Sequence, residues 1–311
     1  MTVLVGIDAL SPPEGGSAVT IGTFDGVHLG HRALIASTAA RAGEAGLSPV
    51  VVTWDRHPMT VVKPAAAPRA VCTPERKIEL LEETGAEMVC VLPFTEEFST
   101  WPPERFVERV LVEGLSARLV VVGQGWRFGH RAAGDVALLE RLGERRGFTV
   151  TTLAHVGRSG GRVSSTRVRR AVAEGDMRLA EELLGRPFDL DGIVLRGDQR
   201  GRRLGFPTAN VDMDPSLVAP PLGVYAGRAR ARGFWYPAAV NVGVNPTFGG
   251  DPATTPAKVE AYFLGFDDDI YGEEIRVELW ARLRDELKFD SVEDLIEQMH
   301  RDVEETKRIT C

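Results

Sequence analysis

The chain of 311 residues has only three cysteines, Cys72, Cys90 and Cys311, and no C-x-x-C pair. An odd, scattered set excludes a disulfide framework and a structural zinc site, and it fits free thiols in a reducing, cytoplasmic compartment. Positive charge is not in surplus either: 37 Lys and Arg stand against 44 Asp and Glu, a net charge of −7. No global basic field exists to collect nucleic acid or anionic lipid, so small molecules are the expected partners. No apolar run could span a bilayer, and no basic segment leads into one at the N-terminus. No lysine follows a glycine, which closes the Walker loop as a route to phosphoryl transfer. Composition is silent on oligomeric state, and a homo-oligomer is compatible with it.

What is present, 43% apolar residues in a chain of this length, suffices for two buried cores. Short apolar runs at Val19–Gly22, Val50–Trp54, Val89–Leu92, Leu119–Val122 and Thr149–Leu153 read as strands covered on both faces. Helical stretches alternate with them: His31–Ala45, a helix opened by Thr73-Pro74, Pro103–Val112 and Asp135–Arg146. That alternation predicts an α/β domain with a doubly wound parallel sheet, whose ligands bind beyond the carboxyl ends of its strands. Ser165–Ala173 and Arg178–Leu184 read as two further short helices before Gly185-Arg186-Pro187 breaks the pattern. The expected domains are therefore residues 1–185 and 186–311. Beyond the break, strand-like pieces at Gly192–Leu195, Gly223–Ala226, Ala238–Val242, Val259–Phe263 and Ile275–Leu279 predict a small antiparallel barrel. A terminal helix follows, capped at Ser291 and carrying apolar Leu295, Ile296, Met299 and Val303.

The most informative stretch is Gly22-Thr23-Phe24-Asp25-Gly26-Val27-His28-Leu29-Gly30-His31, which joins the first strand of the alternating pattern to its first helix. Its glycines let backbone N–H groups approach a phosphate, and the helix N-terminus adds partial positive charge. His28 and His31 can both face that anion, and an imidazole donating to an α-phosphate stabilises the charge that builds as the phosphorus is attacked in line. Ser165, Thr166 and Arg169 open a later helix after the last strand of the sheet, where they would meet a nucleotide's outer phosphates, although such a run is often only an N-cap. In the second half, Gly197 to Asn210 is Gly-rich and basic. Its glycines suit backbone contacts to a triphosphate, and Thr208 and Asn210 offer hard oxygen ligands for Mg²⁺, although the same residues read equally well as an ordinary surface hairpin.

These motifs resemble those of the bacterial bifunctional riboflavin kinase/FAD synthetases, and the resemblance covers nearly the whole chain. It implies an N-terminal adenylyltransferase in which Gly22, Phe24, Asp25, Gly26, His28 and His31 bind ATP. Ser165, Thr166 and Arg169 would form the second nucleotide motif, with Asp55, His57, Pro58 and Gly125 on the flavin side. In the second half, Gly205–Asn210, Asn241–Phe248, Val259-Glu260, Asp269–Gly272 and Leu283–Phe289 follow in the order seen in riboflavin kinases. That order implies that Gly197, Arg202, Gly205, Pro207, Thr208 and Asn210 bind ATP, with Thr208 and Asn210 holding Mg²⁺. It further implies Glu260 as the base for the ribityl terminal hydroxyl and Arg284 in a flap over the flavin or nucleotide. ATP would be co-substrate, and riboflavin, FMN and FAD substrate and products. One departure stands out: relatives carry an acidic residue and then Asn, Asp or similar where this chain has Gln124-Gly125. Two narrower readings are weighed beside the bifunctional one, a kinase with a weak adenylyltransferase half and a flavin-binding protein without turnover.

Overall fold

The computed structural model describes residues 1–197, 200–244 and 257–310. They form two compact units, Met1–Pro68 with Pro74–Ser164, and Arg69–Thr73 with Ser165–Cys311.

The first unit is the parallel sheet the alternating pattern predicts. Its strands are β1 (Thr2–Val5), β2 (Ser17–Ile21), β3 (Ser48–Trp54), β4 (Met88–Leu92), β5 (Ala117–Gly123) and β6 (Thr149–Leu153), in the order β1-β4-β3-β2-β5-β6. Every pairing is parallel. From β2 the chain winds outward through β3 and β4, then returns to lay β5 on the other side of β2. The order therefore reverses between β2 and β5, and a crevice opens at their carboxyl ends, the usual ligand position in an open α/β sheet. One core holds the sheet to its helices: Val19, Ile21, Val50, Val52, Cys90, Leu92, Val120 and Val122 meet Leu111, Leu139 and Phe148. Full burial of such side chains contributes about 1.5–3 kcal/mol each. The helix Leu29–Ala45 ends at Gly46, whose φ of +64° takes the left-handed conformation that closes helices. The helix expected over Pro103–Val112 begins at Pro103 and continues in wider π winding over Val107–Gly114. Burial leaves the Cys90 thiol without solvation for a thiolate and pushes its pKa up to about 12. A small hairpin follows the sheet, β7 (Gly157–Arg158) with β8 (Gly161–Arg162).

The second unit is a closed barrel of β9 (Phe188–Leu195), β10 (Thr208–Met213), β11 (Gly223–Ala231), β12 (Phe234–Val244), β13 (Ala257–Phe263) and β14 (Glu274–Arg284). The order around it is β10-β13-β12-β11-β14-β9, with every pairing antiparallel. Two helices, Ser165–Glu174 and Met177–Leu184, group with this unit, and the helix Val292–Thr310 ends it. The register puts Val194, Val211, Tyr225, Val240, Val259, Ala261 and Val277, all buried, on one face, the barrel interior.

Candidate functional site

In the first unit, β2 ends at Ile21 and the helix Leu29–Ala45 starts just after His28, so the glycine-rich loop lies at the crevice where the strand order reverses. The loop backbone is strained: Phe24 and Val27 have φ of +50° and +38°, and Gly26 has +77°. A β-branched residue rarely adopts the left-handed region, and such outliers cluster at functional sites. Both strained side chains are fully buried and fix the loop, while Asp25 and His28 are also buried.

His28 is the helix N-cap, its Nδ1 accepting the backbone N–H of His31 at 3.2 Å. The two imidazoles stack with centroids 3.5 Å apart and planes 15° apart, and Phe24 meets His31 edge-on at 5.1 Å. Gly30 permits the stack, since a Cβ there would sit 3.2 Å from two ring atoms of His28. The His-x-Gly-His spacing is thus a packing requirement as well as a chemical one.

Around the same edge, Asp55 follows β3 and its Oδ1 accepts the Phe94 N–H at 2.8 Å, while its other oxygen takes Arg56 at 3.0 Å. That carboxylate ties the loop after β3 to the loop after β4. Buried Lys77 donates to the Trp54 carbonyl at 2.6 Å. Half-buried His57 accepts the Met59 N–H through Nδ1 at 3.2 Å, next to Pro58. Beyond β5, Gln124 and Gly125 form an exposed turn, and Trp126 stacks on Phe128 at 4.7 Å. The edge therefore collects the loop, Asp55, His57, Pro58 and Gly125. Ser165, Thr166 and Arg169 open the helix Ser165–Glu174, which belongs to the second unit.

In the barrel, Asn210 of β10 and Asn241 of β12 both stand opposite Glu260 of β13. One row of polar side chains, Asn210, Glu260 and Asn241, so crosses three adjacent strands. The row faces a cavity of about 980 Å³ also lined by Thr208, Pro207, Lys258, Tyr262, Arg284 and Glu286. Thr208 and Asn210 are two apart on β10 and so share a face. The loop before β10 closes down on Asn210: a Cβ on Gly197 would fall 2.3 Å from its amide nitrogen, and one on Gly201 would fall 2.4 Å from the Phe206 carbonyl. Gly205, at φ +89°, completes the turn. Asn210 Oδ1 is buried without a hydrogen-bond partner, an acceptor that a hard cation would satisfy. Among the described residues no group of three or more His, Cys, Asp or Glu could hold a metal ion, and the hard oxygens of Thr208 and Asn210 are of the kind that Mg²⁺ takes. The side chain of Arg202 and the segment Asn245–Phe248 lie outside the described residues.

Arg284 ends β14, where its guanidinium grips Asp302 of the terminal helix at 2.8–3.1 Å, and Gln298 donates to the same carboxylate at 2.9 Å. The amino-acid sequence assigns no part to Lys258 or Asp302, and it marks Asn241 only as the start of the segment Asn241–Phe248, with no role of its own. The alternation of Lys258 and Glu260 with buried Val259 and Ala261 is a signal for Lys258, whereas the Arg284–Asp302 pair has no local signal.

Two family models match in tandem, FAD synthetase over residues 11–167 and riboflavin kinase over residues 184–310. A bifunctional riboflavin kinase/FMN adenylyltransferase of Listeria monocytogenes is 38% identical over 290 residues, covering 93% of this chain and 91% of that one. The enzyme of the same description from Pseudomonas fluorescens is 38% identical over 303 residues, covering 97% and 96%. A crystal structure described as a macrolide-efflux protein of Streptococcus pneumoniae superimposes with a TM-score of 0.88 at 29% identity, covering 99% of both chains. In the present chain, no helix among the described residues is long and apolar enough to cross a membrane.

Proposed function

We propose the following division of labour from the premise that the chain belongs to the bifunctional riboflavin kinase/FMN adenylyltransferase family. The chain phosphorylates riboflavin with ATP to FMN and adenylylates FMN with ATP to FAD, releasing pyrophosphate. Neither a kinase alone nor a binder without turnover is favoured, because both family models match and relatives named for both activities align along nearly the full chain. We assign adenylylation to residues 1–185 and phosphorylation to residues 186–311, both in the cytoplasm, where ATP and flavin are at hand.

For adenylylation, the FMN phosphate oxygen attacks the α-phosphorus of ATP in line as the bond to pyrophosphate breaks. His28 accepts at Nδ1, so its neutral ring carries the proton on Nε2, a donor for the α-phosphate oxygens. His31, held parallel to it by the stack, adds a second imidazole at the same anion. Backbone N–H groups at the loop and helix start bind the phosphates without a covalent intermediate. Asp55, His57, Pro58 and the Gly125 turn take the flavin side.

For phosphorylation, Gly197, Gly205, Pro207, Thr208 and Asn210 receive ATP, and Thr208 and Asn210 would hold Mg²⁺. That ion neutralises phosphate charge when bound. Glu260 takes the proton of the ribityl terminal hydroxyl while its oxygen bonds to the γ-phosphorus and ADP departs. Arg284 lines the same cavity and would meet the flavin or nucleotide there.

The observation that carries the two-site reading is that each unit holds its own constellation, a stacked histidine pair in one and a strand glutamate facing a cavity in the other. Riboflavin and ATP supplied to the purified chain should yield FMN and then FAD on chromatography. FMN alone would leave only the kinase, and no product would reduce the protein to a binder.

A further inference from the structure

We propose that Lys258 is a positioning residue of the kinase, holding the carboxylate of Glu260 in its working orientation. The inference rests on the reading of Glu260 as the base and adds a second residue to it. Lys258 and Glu260 are two apart on β13, so they share one face of the strand with Cα atoms about 6.8 Å apart. To bring Nζ within 2.7 Å of Glu260 Oε1, the lysine side chain must lie back along the strand instead of extending to water. That costs side-chain freedom, which an exposed pair seldom recovers. This pair is not exposed in the usual sense. Both side chains are about one-third accessible (34% and 29%), and both line the barrel cavity. A substrate filling the cavity removes water from around them, and ion pairs strengthen as water leaves.

The surroundings single Lys258 out. The strand neighbours of Glu260 are Asn210 and Asn241, both neutral amides. The β12 residue opposite Lys258 is Gly243, where the Glu286 carboxylate lies 2.7 Å from the place of a Cβ, yet Lys258 makes its ion pair with Glu260. Of the other described cations lining the cavity, Arg284 is gripped by Asp302, and Lys288 is exposed and makes no ion pair with Glu260. Lys258 is thus the cation within ion-pair distance of the base among the described residues. A carboxylate fixed by one oxygen keeps its other oxygen aimed, whereas a free glutamate in a cavity this size samples several rotamers. In the transfer, the hydroxyl proton moves to Glu260, the new O–P bond forms and ADP leaves with its bonding pair. The Lys258 charge then remains beside the reacting oxygens with its carboxylate partner neutralised.

The test is a double-mutant cycle on the full chain, reading kcat and KM for FMN formation, with thermal unfolding of the full chain as the fold control for the barrel unit and adenylylation of supplied FMN as the control for the other unit. Lys258→Met should lower kcat for FMN by about 10- to 100-fold while the KM values for riboflavin and ATP stay within about threefold. Lys258→Arg should restore most of the loss. In a Glu260→Gln background, Lys258→Met should cost almost nothing more, because a residue acting through Glu260 has nothing left to position. An unchanged kcat in Lys258→Met, a raised KM for ATP alone, or a full additional loss in the Glu260→Gln background would each overturn the proposal. If Glu260→Gln itself keeps the parental rate, the base assignment fails separately. Should Lys258→Met lose the unfolding transition of the barrel unit, Lys258→Gln takes its place in the same cycle.

Discussion

The two sites of this chain are built in opposite ways. At the sheet edge, the groups that would meet the phosphates come from one contiguous stretch, Gly22 to His31, and much of the binding falls to backbone N–H groups and a helix end. In the barrel, Asn210, Glu260 and Asn241 lie far apart in the chain, and strand register alone brings them into one row. The first design depends on backbone conformation, which is why its loop contains residues at positive φ and a glycine wedged beside an imidazole. The second depends on the alternation of side chains along strands, with the backbone committed to the ladder. A site of the first kind should tolerate loss of a side chain better than loss of its loop geometry. A site of the second kind should hinge on single side chains.

The largest expected effect follows from that contrast. Glu260→Gln keeps shape and strand pairing but cannot accept the proton, so FMN formation should fall by roughly 10²–10⁴. FAD formation from supplied FMN should stay near the parental rate, since each unit has its own core. Measuring both half-reactions on one preparation checks this, and a parental rate of FMN formation would remove Glu260 as the base. Next in size, replacing His28 and His31 together with Ala should cut FAD formation by about 10² while FMN formation survives. The residual rate carries the comparison, because the loop N–H groups and the helix end are still there to bind phosphate. Equal loss of both products in a folded variant would contradict the assignment of the histidines to one half-reaction.

The same contrast explains which features are legible in the amino-acid sequence and which are not. The inner strands of the sheet, buried on both faces, announce themselves as apolar runs such as Val50-Val51-Val52. The edge strand β1 does not: Thr2, Val3 and Val5 are exposed, and its partner is β4, far along the chain. Strand β10 is hidden for another reason. Its pattern alternates, with Ala209, Val211 and Met213 buried between polar residues, yet it directly follows a Gly-rich turn and its partly polar face points into a cavity. The histidine loop can be read as a phosphate site because its chemistry is local. Glu260 needs family resemblance, since a lone strand glutamate is usually solvated. Asn241 and the Arg284–Asp302 pair depend on which strands and helix become neighbours, and no local pattern carries that. The grouping of Ser165–Glu174 and Met177–Leu184 with the barrel unit is likewise a matter of packing between distant segments, on which the break at Gly185-Arg186-Pro187 is silent.

The smallest expected effect concerns Gly125, the point where the chain parts from the pattern it resembles. The turn it occupies follows β5, the strand beside β2, so it sits at the crevice where the strand order reverses. Its φ is +75°, in the left-handed region, and a Cβ there would meet nothing within 4 Å. Space therefore permits a side chain and only the backbone resists one, by about 1–2 kcal/mol for an ordinary residue and less for Asn. The missing group would supply one hydrogen bond to substrate, worth about 0.5–1.5 kcal/mol. Trp126 has one face committed to Phe128, at 4.7 Å and 12°, which leaves exposed Gln124 as the amide nearest in sequence to replace that contact. Adenylylation should accordingly persist in the parent. Gly125→Asn should raise kcat/KM for FAD synthesis by at most about tenfold, the factor that corresponds to 1.4 kcal/mol. Gly125→Ala carries the backbone cost without the amide and should give no gain, so the pair separates a substrate contact from a change in turn stability. A gain shared equally by both variants would place the effect in the turn. An undetectable parental rate restored by Asn would mean that this one glycine had silenced the sheet site, and that the local, backbone-built design depends on side chains more than its geometry suggests.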